Sequence, residues 1–361
     1  PAKWLPRPNS PVFLKTAEVL SLTSEAIGHF PWTNYLVSLN SIDTLVTHNA
    51  AIIGILGVGK STLAIELVER MLAHGVKVIC LDLTNQYATE LSPFYNVTNE
   101  AEVMTSLNNI GQKGKTNVKK NVEEGGSKIE FSKAIAQDIE KFLASENSSK
   151  LKIYNPARFE VWKQDSKPFG ETASMASLTP TEIAQIITEA TLRTVEKQGM
   201  TDKARTCLVY EEAHSLIPEW SSVAAEGDRA ATNGTARAIL QGRKYGLGCL
   251  LITQRTANVT KTILNQCNTI FAMRTFDETG KEFLSNYLGK DHAEKLSSLQ
   301  ERQPVLFGRA SSCENPVLIR LNDRDSFLRV FRGKYPPPEL PKETIEQNKE
   351  SKSNGESIEP F

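Results

Sequence analysis

Short apolar runs alternate with longer amphipathic segments along most of the chain. The runs are rich in Val, Ile and Leu, as expected for parallel strands that helices cover on both faces. After the first run, Leu63, Leu67 and Met71 recur at helical spacing, and charged residues such as Glu66 and Arg70 occupy the opposite face. The alternation predicts an α/β fold with a mostly parallel, doubly wound central sheet. We assign strands to residues 50–54, 76–83, 152–156, 206–210, 247–253, 268–273, 304–308 and 316–321.

Three segments depart from this alternation and suggest the domain organisation. Residues 1–45 are punctuated by proline, contain short extended pieces and predict an N-terminal β lead-in to the main α/β domain at 46–330. Residues 96–150 are polar and predict an insertion with helices near 98–109 and 130–145 around an exposed loop. Residues 331–361 are rich in polar residues and proline, which predicts a flexible tail or a strap across a neighbouring subunit.

One helix has a clear start and stop. Thr179 is the expected N-cap, Pro180 suits the first turn, and Gly199 is the expected stop.

Composition excludes several classes of protein. The 42 basic and 42 acidic residues cancel, so contact with nucleic acid requires a local basic surface. The five cysteines show no zinc-binding spacing, and Cys80, Cys207 and Cys249 lie in apolar runs that suit buried thiols. No apolar run approaches the roughly 18 residues of a membrane span, and no secretory signal precedes the fold, so we expect a cytoplasmic protein without membrane contact. The chain begins with Pro1 and not Met, from which we expect an upstream segment.

The first apolar strand runs directly into a phosphate-binding loop, Gly54-Ile-Leu-Gly-Val-Gly59-Lys60-Ser61. Glycines let backbone N–H groups turn toward phosphate oxygens, and the helix that follows directs its positive end at the same anion. Lys60 is expected to neutralise the β and γ phosphates of ATP, and Ser61 to ligate Mg²⁺. The alternative is a glycine-rich turn without a ligand. The predicted nucleotide-binding residues of this loop are Gly54, Gly57, Val58, Gly59, Lys60, Ser61 and Thr62.

Later strands end in polar residues that suit nucleotide hydrolysis. The strand 206–210 ends in Glu211, expected to hold Mg²⁺ through water and to belong to the nucleotide site, and in Glu212, expected to orient the attacking water. Gln254 follows another strand, where an amide can sense the γ-phosphate. Arg243 precedes that strand and is a candidate for stabilising the transferred phosphoryl group. The alternatives are solvated side chains at helix and loop ends, and we expect His214 to be a packing or helix-start residue.

Together these blocks resemble the HerA/FtsK branch of P-loop ATPases, and HerA-like proteins in particular. The most specific stretch is QGRKYGLGCLLITQRTANVTKTILNQCNTIFAMR, and the resemblance covers about residues 45–325. It implies a RecA-like ASCE core that binds ATP and Mg²⁺, with Glu212 as catalytic glutamate, Arg243 as the arginine of the GRK motif and Asp82 as an acid near the site. It also implies a homohexameric ring that moves on double-stranded DNA and works with an effector such as a nuclease, in some relatives in anti-phage defence. The lead-in would then be a remnant of an upstream barrel.

The chain departs from HerA-like proteins in ways that bear on activation between subunits. Relatives carry an arginine just before the P-loop strand, where this chain has His48. The resemblance therefore leaves Arg229, Arg237 and Arg274 as candidates for an arginine that acts on a neighbouring site. Gln86 replaces an acid before a tyrosine, and the centre of the P-loop is Leu-Gly-Val in place of Thr-Gly-Ser.

Two questions stay open at the level of sequence. The lysines of the loop GQKGKTNVKK either contact DNA phosphates in a ring channel or form a solvated surface. The chain is either a translocase subunit or a nucleotide-dependent scaffold that assembles on ATP and regulates an effector enzyme. The lysines concerned are Lys113, Lys115, Lys119 and Lys120.

Overall fold

The computed structural model describes residues 22–33, 35–95, 97–113, 126–145, 149–164, 175–219, 221 and 226–338. Its strands are β1 Ala26–His29, β2 Leu36–Ser38, β3 Ala50–Ile53, β4 Lys77–Leu81, β5 Leu151–Tyr154, β6 Trp162–Gln164, β7 Met175–Ser177, β8 Thr201–Tyr210, β9 Tyr245–Thr253, β10 Thr269–Ala272, β11 Val305–Gly308, β12 Val317–Leu318 and β13 Arg320–Leu321. Its α-helices are α1 Ile42–Thr47, α2 Lys60–Ala73, α3 Tyr87–Glu90, α4 Val97–Gln112, α5 Lys128–Ala144, α6 Pro180–Lys197, α7 Ala213–Leu216, α8 Glu226–Gly242, α9 Lys261–Leu264, α10 Glu278–Leu288, α11 Lys290–Lys295 and α12 Arg324–Lys334.

An eight-stranded sheet with the order β12-β11-β10-β3-β9-β8-β4-β5 forms the centre of the fold. The strands from β10 through β5 in that order run parallel to one another, and β11 and β12 continue the sheet antiparallel. Every residue of β3 is buried, as an unbroken apolar strand between two helical layers should be. The predicted α/β fold with a mostly parallel sheet is confirmed.

The helix that follows the P-loop differs from its expected amphipathic character. Its apolar face is buried as predicted, but Glu66, Glu69 and Arg70 on the charged face are also buried. Helix α12 and strand β1 cover that face. The sequence near α2 gives no sign of this cover because both elements come from distant parts of the chain.

Arg70 connects the three elements. Its guanidinium donates to the backbone oxygens of Ser24 at 2.6 Å and Ala26 at 2.8 Å, and to the Glu66 carboxylate at 3.0 Å. The same guanidinium lies over the ring of Phe327 on α12, 4.7 Å from its centroid. Burial outweighs the nearby cation and raises the pKa of Glu66 to about 7. One buried cation thus holds the N-terminal strand and the last helix against the P-loop helix.

The lead-in is joined to the other end of the described chain. Strand β1 pairs antiparallel with both β2 and β13, so the lead-in and the end of the nucleotide-binding domain share a small sheet. The stretch 316–321, expected as one strand, is divided between two sheets. Backbone N–H groups of Ile319 and Leu321 bond to Pro304 and Arg302, and the chain crosses at this point from the central sheet to β1. Residues 1–21 of the predicted lead-in lie outside the described residues.

The insertion and the long helix agree with the predicted elements. Helices α4 and α5 occupy the expected places, and α6 begins with Thr179 in a reciprocal capping box with Glu182. Gly199 has a φ of +81°, which ends the helix in the left-handed conformation that favours glycine. Of the four loop lysines, Lys113 is described and the other three are not. Among the described helices, none combines the length and apolar character needed to cross a bilayer.

Replacing Arg70 by methionine should lower the free energy of unfolding by about 3 kcal/mol, because it leaves Glu66 buried without its cation. Urea unfolding followed by circular dichroism measures the effect. Arg193→Met is the matched control, since the Arg193 side chain is 77% exposed and pairs with Glu189 on its own helix. Equal stability of the two variants would show that Arg70 does not hold these elements together.

Candidate active site

The carboxyl ends of the parallel strands collect the predicted site residues at one edge of the central sheet. Gly54 follows β3, Glu211 follows β8, and Gln254 follows β9, which lies between them. Parallel strands end together at one edge, which is where ligand sites form in such sheets. The predicted P-loop, acids and amide are therefore neighbours in space.

The start of the P-loop is fixed by the two strands beside it. The Gly54 N–H donates to the Thr253 oxygen at 3.2 Å, and the Ile55 N–H donates to the Arg274 oxygen at 2.9 Å. A Cβ at Gly54 would lie 2.7 Å from the Cβ of Met273, so only glycine fits between these strands. The loop thus leaves the sheet in a set direction.

The middle of the loop has the backbone of a phosphate cradle. Gly57 and Gly59 have φ values of +78° and +93°, a left-handed conformation that turns successive N–H groups toward one point. Between them the Val58 side chain is fully buried and anchors the loop in the core. The Val58 carbonyl accepts a 3.1 Å hydrogen bond from the Arg302 N–H, which fixes the loop to the segment before β11.

Helix α2 begins at the cradle with the remaining P-loop residues. Lys60 is only 7% exposed and donates to the Ile55 oxygen at 2.8 Å, so its ammonium lies against the loop it is expected to share with a triphosphate. Burial lowers the pKa of Lys60, and the nearby Glu212 and Glu211 oppose that shift. Ser61 and Thr62 lie half-buried in the first turn. The glycine backbone, the helix N-terminus and the buried lysine together fit a nucleoside triphosphate.

Glu211 lies beside Ser61, the other residue predicted to hold the metal ion. The Ser61 hydroxyl donates to Oε1 of Glu211 at 3.3 Å, and the Tyr87 hydroxyl donates to Oε2 at 2.7 Å. Glu211 is 2% exposed, and burial raises its pKa to about 7 against the effect of these hydrogen bonds. A hydroxyl and a carboxylate at this separation suit Mg²⁺, which prefers oxygen ligands and keeps several waters.

Asp82 holds the loop that carries Tyr87. Its Oδ1 accepts from the N–H and hydroxyl of Thr84 and from the Asn85 N–H, and its Oδ2 accepts from the Tyr87 N–H at 3.0 Å. These contacts engage both carboxylate oxygens within Asp82's own loop. Asp82 therefore positions Tyr87 beside Glu211, and direct contact of Asp82 with nucleotide stays a prediction.

The carboxylate of Glu212 is held between an amide and an imidazole. Gln254 Nε2 lies 3.3 Å from both Glu212 oxygens, and His214 Nδ1 lies 3.3 Å from Oε2. Glu212 itself has a left-handed backbone, with φ 56° and ψ 51°. That conformation costs a residue with a side chain on the order of 1 kcal/mol, and such strain is common at functional sites. Burial lowers the pKa of His214, which favours the neutral ring beside the carboxylate.

Arg243 lies at the opposite edge of the sheet. It precedes β9 as His48 precedes β3, so both belong to the amino ends of the strands. Their side chains meet, with 2.7 Å between Arg243 Nη2 and His48 Nε2. At about 3.3 Å per strand residue, the length of β3 separates them from their own P-loop by more than roughly 13 Å. Arg243 therefore does not reach the P-loop of its own chain.

The other candidate arginines occupy different positions. Arg274 follows β10 at the P-loop edge, where its carbonyl accepts a hydrogen bond from the Ile55 N–H. Its Nε is buried and has no hydrogen-bond partner among the described residues. Arg229 and Arg237 are exposed on α8. The structure thus places only Arg243, of the predicted arginines, beside His48.

Comparison with known proteins identifies the family. The family described as "Helicase HerA, central domain" matches residues 26–290, which is most of the chain. The chain belongs to this HerA family of P-loop ATPases. The match includes every predicted site residue from Gly54 to Gln254.

Individual HerA relatives align over a shorter part. The probable DNA double-strand break repair helicase HerA of Methanocaldococcus jannaschii is 26% identical over 151 residues, which are 41% of this chain and 28% of the relative. The DNA double-strand break repair helicase HerA of Pyrococcus furiosus is 28% identical over 130 residues, which are 35% of this chain and 21% of the relative. The aligned part is therefore less than a third of the length of these relatives.

Several solved structures align with this chain at low sequence identity. VirB4 of Thermoanaerobacter pseudethanolicus aligns with a TM-score of 0.46 and 13% identity, covering 85% of this chain and 98% of that one. The genome packaging NTPase B204 of Sulfolobus turreted icosahedral virus 2 aligns with a TM-score of 0.45 and 15% identity, covering 77% and 100%.

The HerA-family site contains side chains that the sequence did not single out. Tyr87 bonds to an acid 124 positions away, and His214, expected to be a packing residue, contacts the carboxylate of Glu212. The only local signals were the tyrosine that ends LDLTNQY and the histidine of EEAH. Neither signal identifies the carboxylate that the side chain contacts.

Replacing Tyr87 by phenylalanine should weaken the response of ATP hydrolysis to Mg²⁺ about tenfold, because it removes the donor that holds Glu211 in place. Hydrolysis rates over a Mg²⁺ titration measure the shift, and saturating Mg²⁺ should recover most of the rate. Tyr35→Phe is the control, since Tyr35 is 57% exposed and remote from the site. Superimposable Mg²⁺ titrations for the two variants would remove Tyr87 from the site.

Proposed function

We propose that this chain is the ATPase core of a homohexameric ring that couples ATP hydrolysis to movement along double-stranded DNA. The observation that carries the proposal is the distribution of the predicted groups over both edges of the sheet. The P-loop with Glu211 and Glu212 lies at one edge, and Arg243 lies at the other. A site with all of these groups requires a second copy whose amino edge faces the first copy's P-loop, an arrangement that closes into a ring.

The residues of one copy divide the chemistry among them. The P-loop backbone and Lys60 bind the phosphates of ATP, and Lys60 exchanges the Ile55 carbonyl for phosphate oxygens. Ser61 and Glu211 would hold Mg²⁺, which would neutralise charge that develops on the phosphoryl oxygens.

Hydrolysis also needs an oriented water molecule. Glu212 accepts a proton from the attacking water, and Gln254 fixes the direction of its carboxylate. Arg243 of an adjacent copy stabilises the charge on the γ-phosphoryl group. Hydrolysis then depends on contact between copies.

Family membership supports DNA as the polymer on which the ring acts. The named relatives are DNA double-strand break repair helicases. Because the net charge is zero, contact with DNA must come from local basic groups. Lys113, exposed at the end of α4, is one candidate. By the same resemblance we propose a docked effector such as a nuclease, with a role in DNA processing or anti-phage defence in the cytoplasm.

A second candidate function is a nucleotide-dependent scaffold that assembles on ATP and regulates an effector enzyme. Two features favour it: the zero net charge and the histidine at position 48, where relatives carry arginine. In that case ATP binding, and not its hydrolysis, would govern activity.

Replacing Glu212 by glutamine should reduce ATP hydrolysis at least a hundredfold and leave ATP binding intact, because it removes the base but keeps the shape. Lys60→Ala should lose both binding and hydrolysis. The measurements are ATP turnover with and without duplex DNA and binding of a fluorescent ATP analogue. Glu282→Gln, on the exposed surface of α10, is the control for the loss of one negative charge.

Stimulation of the wild-type rate by duplex DNA is the result expected of a translocase. A rate indifferent to DNA, together with full effector activity in Glu212→Gln, would favour the scaffold. Loss of effector activity in Glu212→Gln with ATP binding intact would contradict an assembly-only role.

The mass of the particle tests the ring separately. Light scattering with Mg²⁺ and an ATP analogue should give about six times the 40.0 kDa of the chain. A persistent monomer at micromolar concentration, with the analogue bound, would contradict the ring.

A further inference from the structure

Two arginines meet at His48, and only one of them was expected. Arg309, directly after β11, places its Nη1 2.8 Å from His48 Nε2, while Arg243 Nη2 lies 2.7 Å from the same nitrogen. Strand β11 runs antiparallel to β10, so its carboxyl end lies at the amino edge of the parallel strands. Three separate parts of the chain thus meet at one point on the edge opposite the P-loop.

The hydrogen bonds fix the charge on His48. A guanidinium only donates, so Nε2 accepts from both arginines and carries no proton. Nδ1 then carries the ring proton and donates to the Thr47 hydroxyl at 3.0 Å, and that hydroxyl donates to the Asp43 carbonyl at 2.7 Å. Burial and the two guanidiniums lower the pKa of His48, in agreement with a neutral ring. His48 therefore acts as an acceptor between two cations.

The pair has more donors than the described residues satisfy. Each guanidinium has five N–H groups, and one lone pair of His48 accepts from both. Among the described residues, no carboxylate lies within ion-pair distance of Arg243 or Arg309, and both side chains are exposed. Two adjacent guanidiniums with free N–H groups suit an anion with several charged oxygens, above all a phosphoryl group.

We propose that Arg243 and Arg309 form one two-armed phosphoryl site, held by His48 as a neutral positioning residue, for the terminal phosphate of ATP bound to an adjacent copy. This inference rests on the proposed function, because the ATP belongs to the neighbour's P-loop. It assigns to Arg309 a contact with the reacting nucleotide, and to His48 the task of holding both arginines together.

Position favours nucleotide over the phosphates of DNA. The cluster lies at the amino edge of the strands, and the P-loop and acids lie at the carboxyl edge, so head-to-tail copies bring unlike charges together. A DNA contact surface follows several successive phosphates along a strand, whereas these two guanidiniums converge on one nitrogen. The site is therefore suited to a single anion.

The test measures ATP hydrolysis without DNA in the assembled protein. Arg309→Ala should lower kcat at least tenfold and leave the KM for ATP within about twofold, because each copy's own P-loop is intact. His48→Leu should lower kcat similarly, whereas His48→Gln should keep most of it, since the amide oxygen can replace Nε2 as acceptor. Arg193→Ala is the matched control for the loss of an exposed arginine.

Mixing variants tests whether the site acts between copies. Lys60→Ala lacks a working P-loop but carries both arginines. Arg309→Ala has an intact P-loop but lacks one of the two arginines. Mixed assemblies should hydrolyse ATP faster than either variant alone, and recovery of this kind would support action on a neighbour.

Several results would overturn the inference, and they differ from failure of the proposed function. If Arg309→Ala and His48→Leu match Arg193→Ala while Arg243→Ala is inactive, Arg243 acts alone and the proposed ATPase stands. If Arg309→Ala loses only affinity for duplex DNA, with unstimulated hydrolysis intact, the anion is a DNA phosphate. If the wild-type protein does not hydrolyse ATP under any of these conditions, the proposed function fails, and this site fails with it.

Discussion

The shared direction of six parallel strands is the constraint on which the rest of the structure depends. Because the strands are parallel, their amino ends form one edge of the sheet and their carboxyl ends form the other. Whether a residue precedes or follows its strand therefore decides at which edge it lies. Gly54, Glu211 and Gln254 follow their strands and meet at one edge. Arg243 precedes its strand and lies at the other, so no rotation of a side chain can bring it to its own chain's P-loop. The proposed action of Arg243 on a second copy therefore rests on the topology and does not depend on one contact.

Within the carboxyl edge, the acids are placed by a chain of buried hydrogen bonds. Asp82 fixes the loop of Tyr87, and Tyr87 holds one oxygen of Glu211, while the other oxygen faces Ser61. Burial raises the pKa of Glu211 to about 7, so the chain keeps a carboxylate where ionisation is unfavourable. A divalent cation reverses that balance because it favours the ionised form. The proposed Mg²⁺ would therefore favour the ionised form of Glu211.

The sequence predicted the features that depend on residues close together in the chain. The P-loop, the parallel strands and the capping box at Thr179 follow from local spacing, and the structure contains each of them. It did not predict the burial of Arg70, whose cover comes from both ends of the described chain, or the contact of Arg309 with His48 across 261 positions. Such contacts are set by how distant elements pack, and no periodicity in one segment encodes them. The same reason explains why the stretch 316–321 divides between two sheets.

His48 is neutral where HerA-like proteins carry an arginine. Arg243 and Arg309 still provide positive charge at this amino edge of the strands. An arginine at position 48 would bring a third positive charge beside Arg243 and Arg309. Those two guanidiniums already lie within about 5.5 Å of each other, a repulsion on the order of 1 kcal/mol in solvent-exposed surroundings. A neutral imidazole offsets that repulsion because its one acceptor binds both. The proposed phosphoryl site then takes its charge from Arg243 and Arg309, and position 48 determines where the two side chains meet. His48, which the sequence showed as a departure from HerA-like proteins, is on this geometry the group that holds the two arginines together.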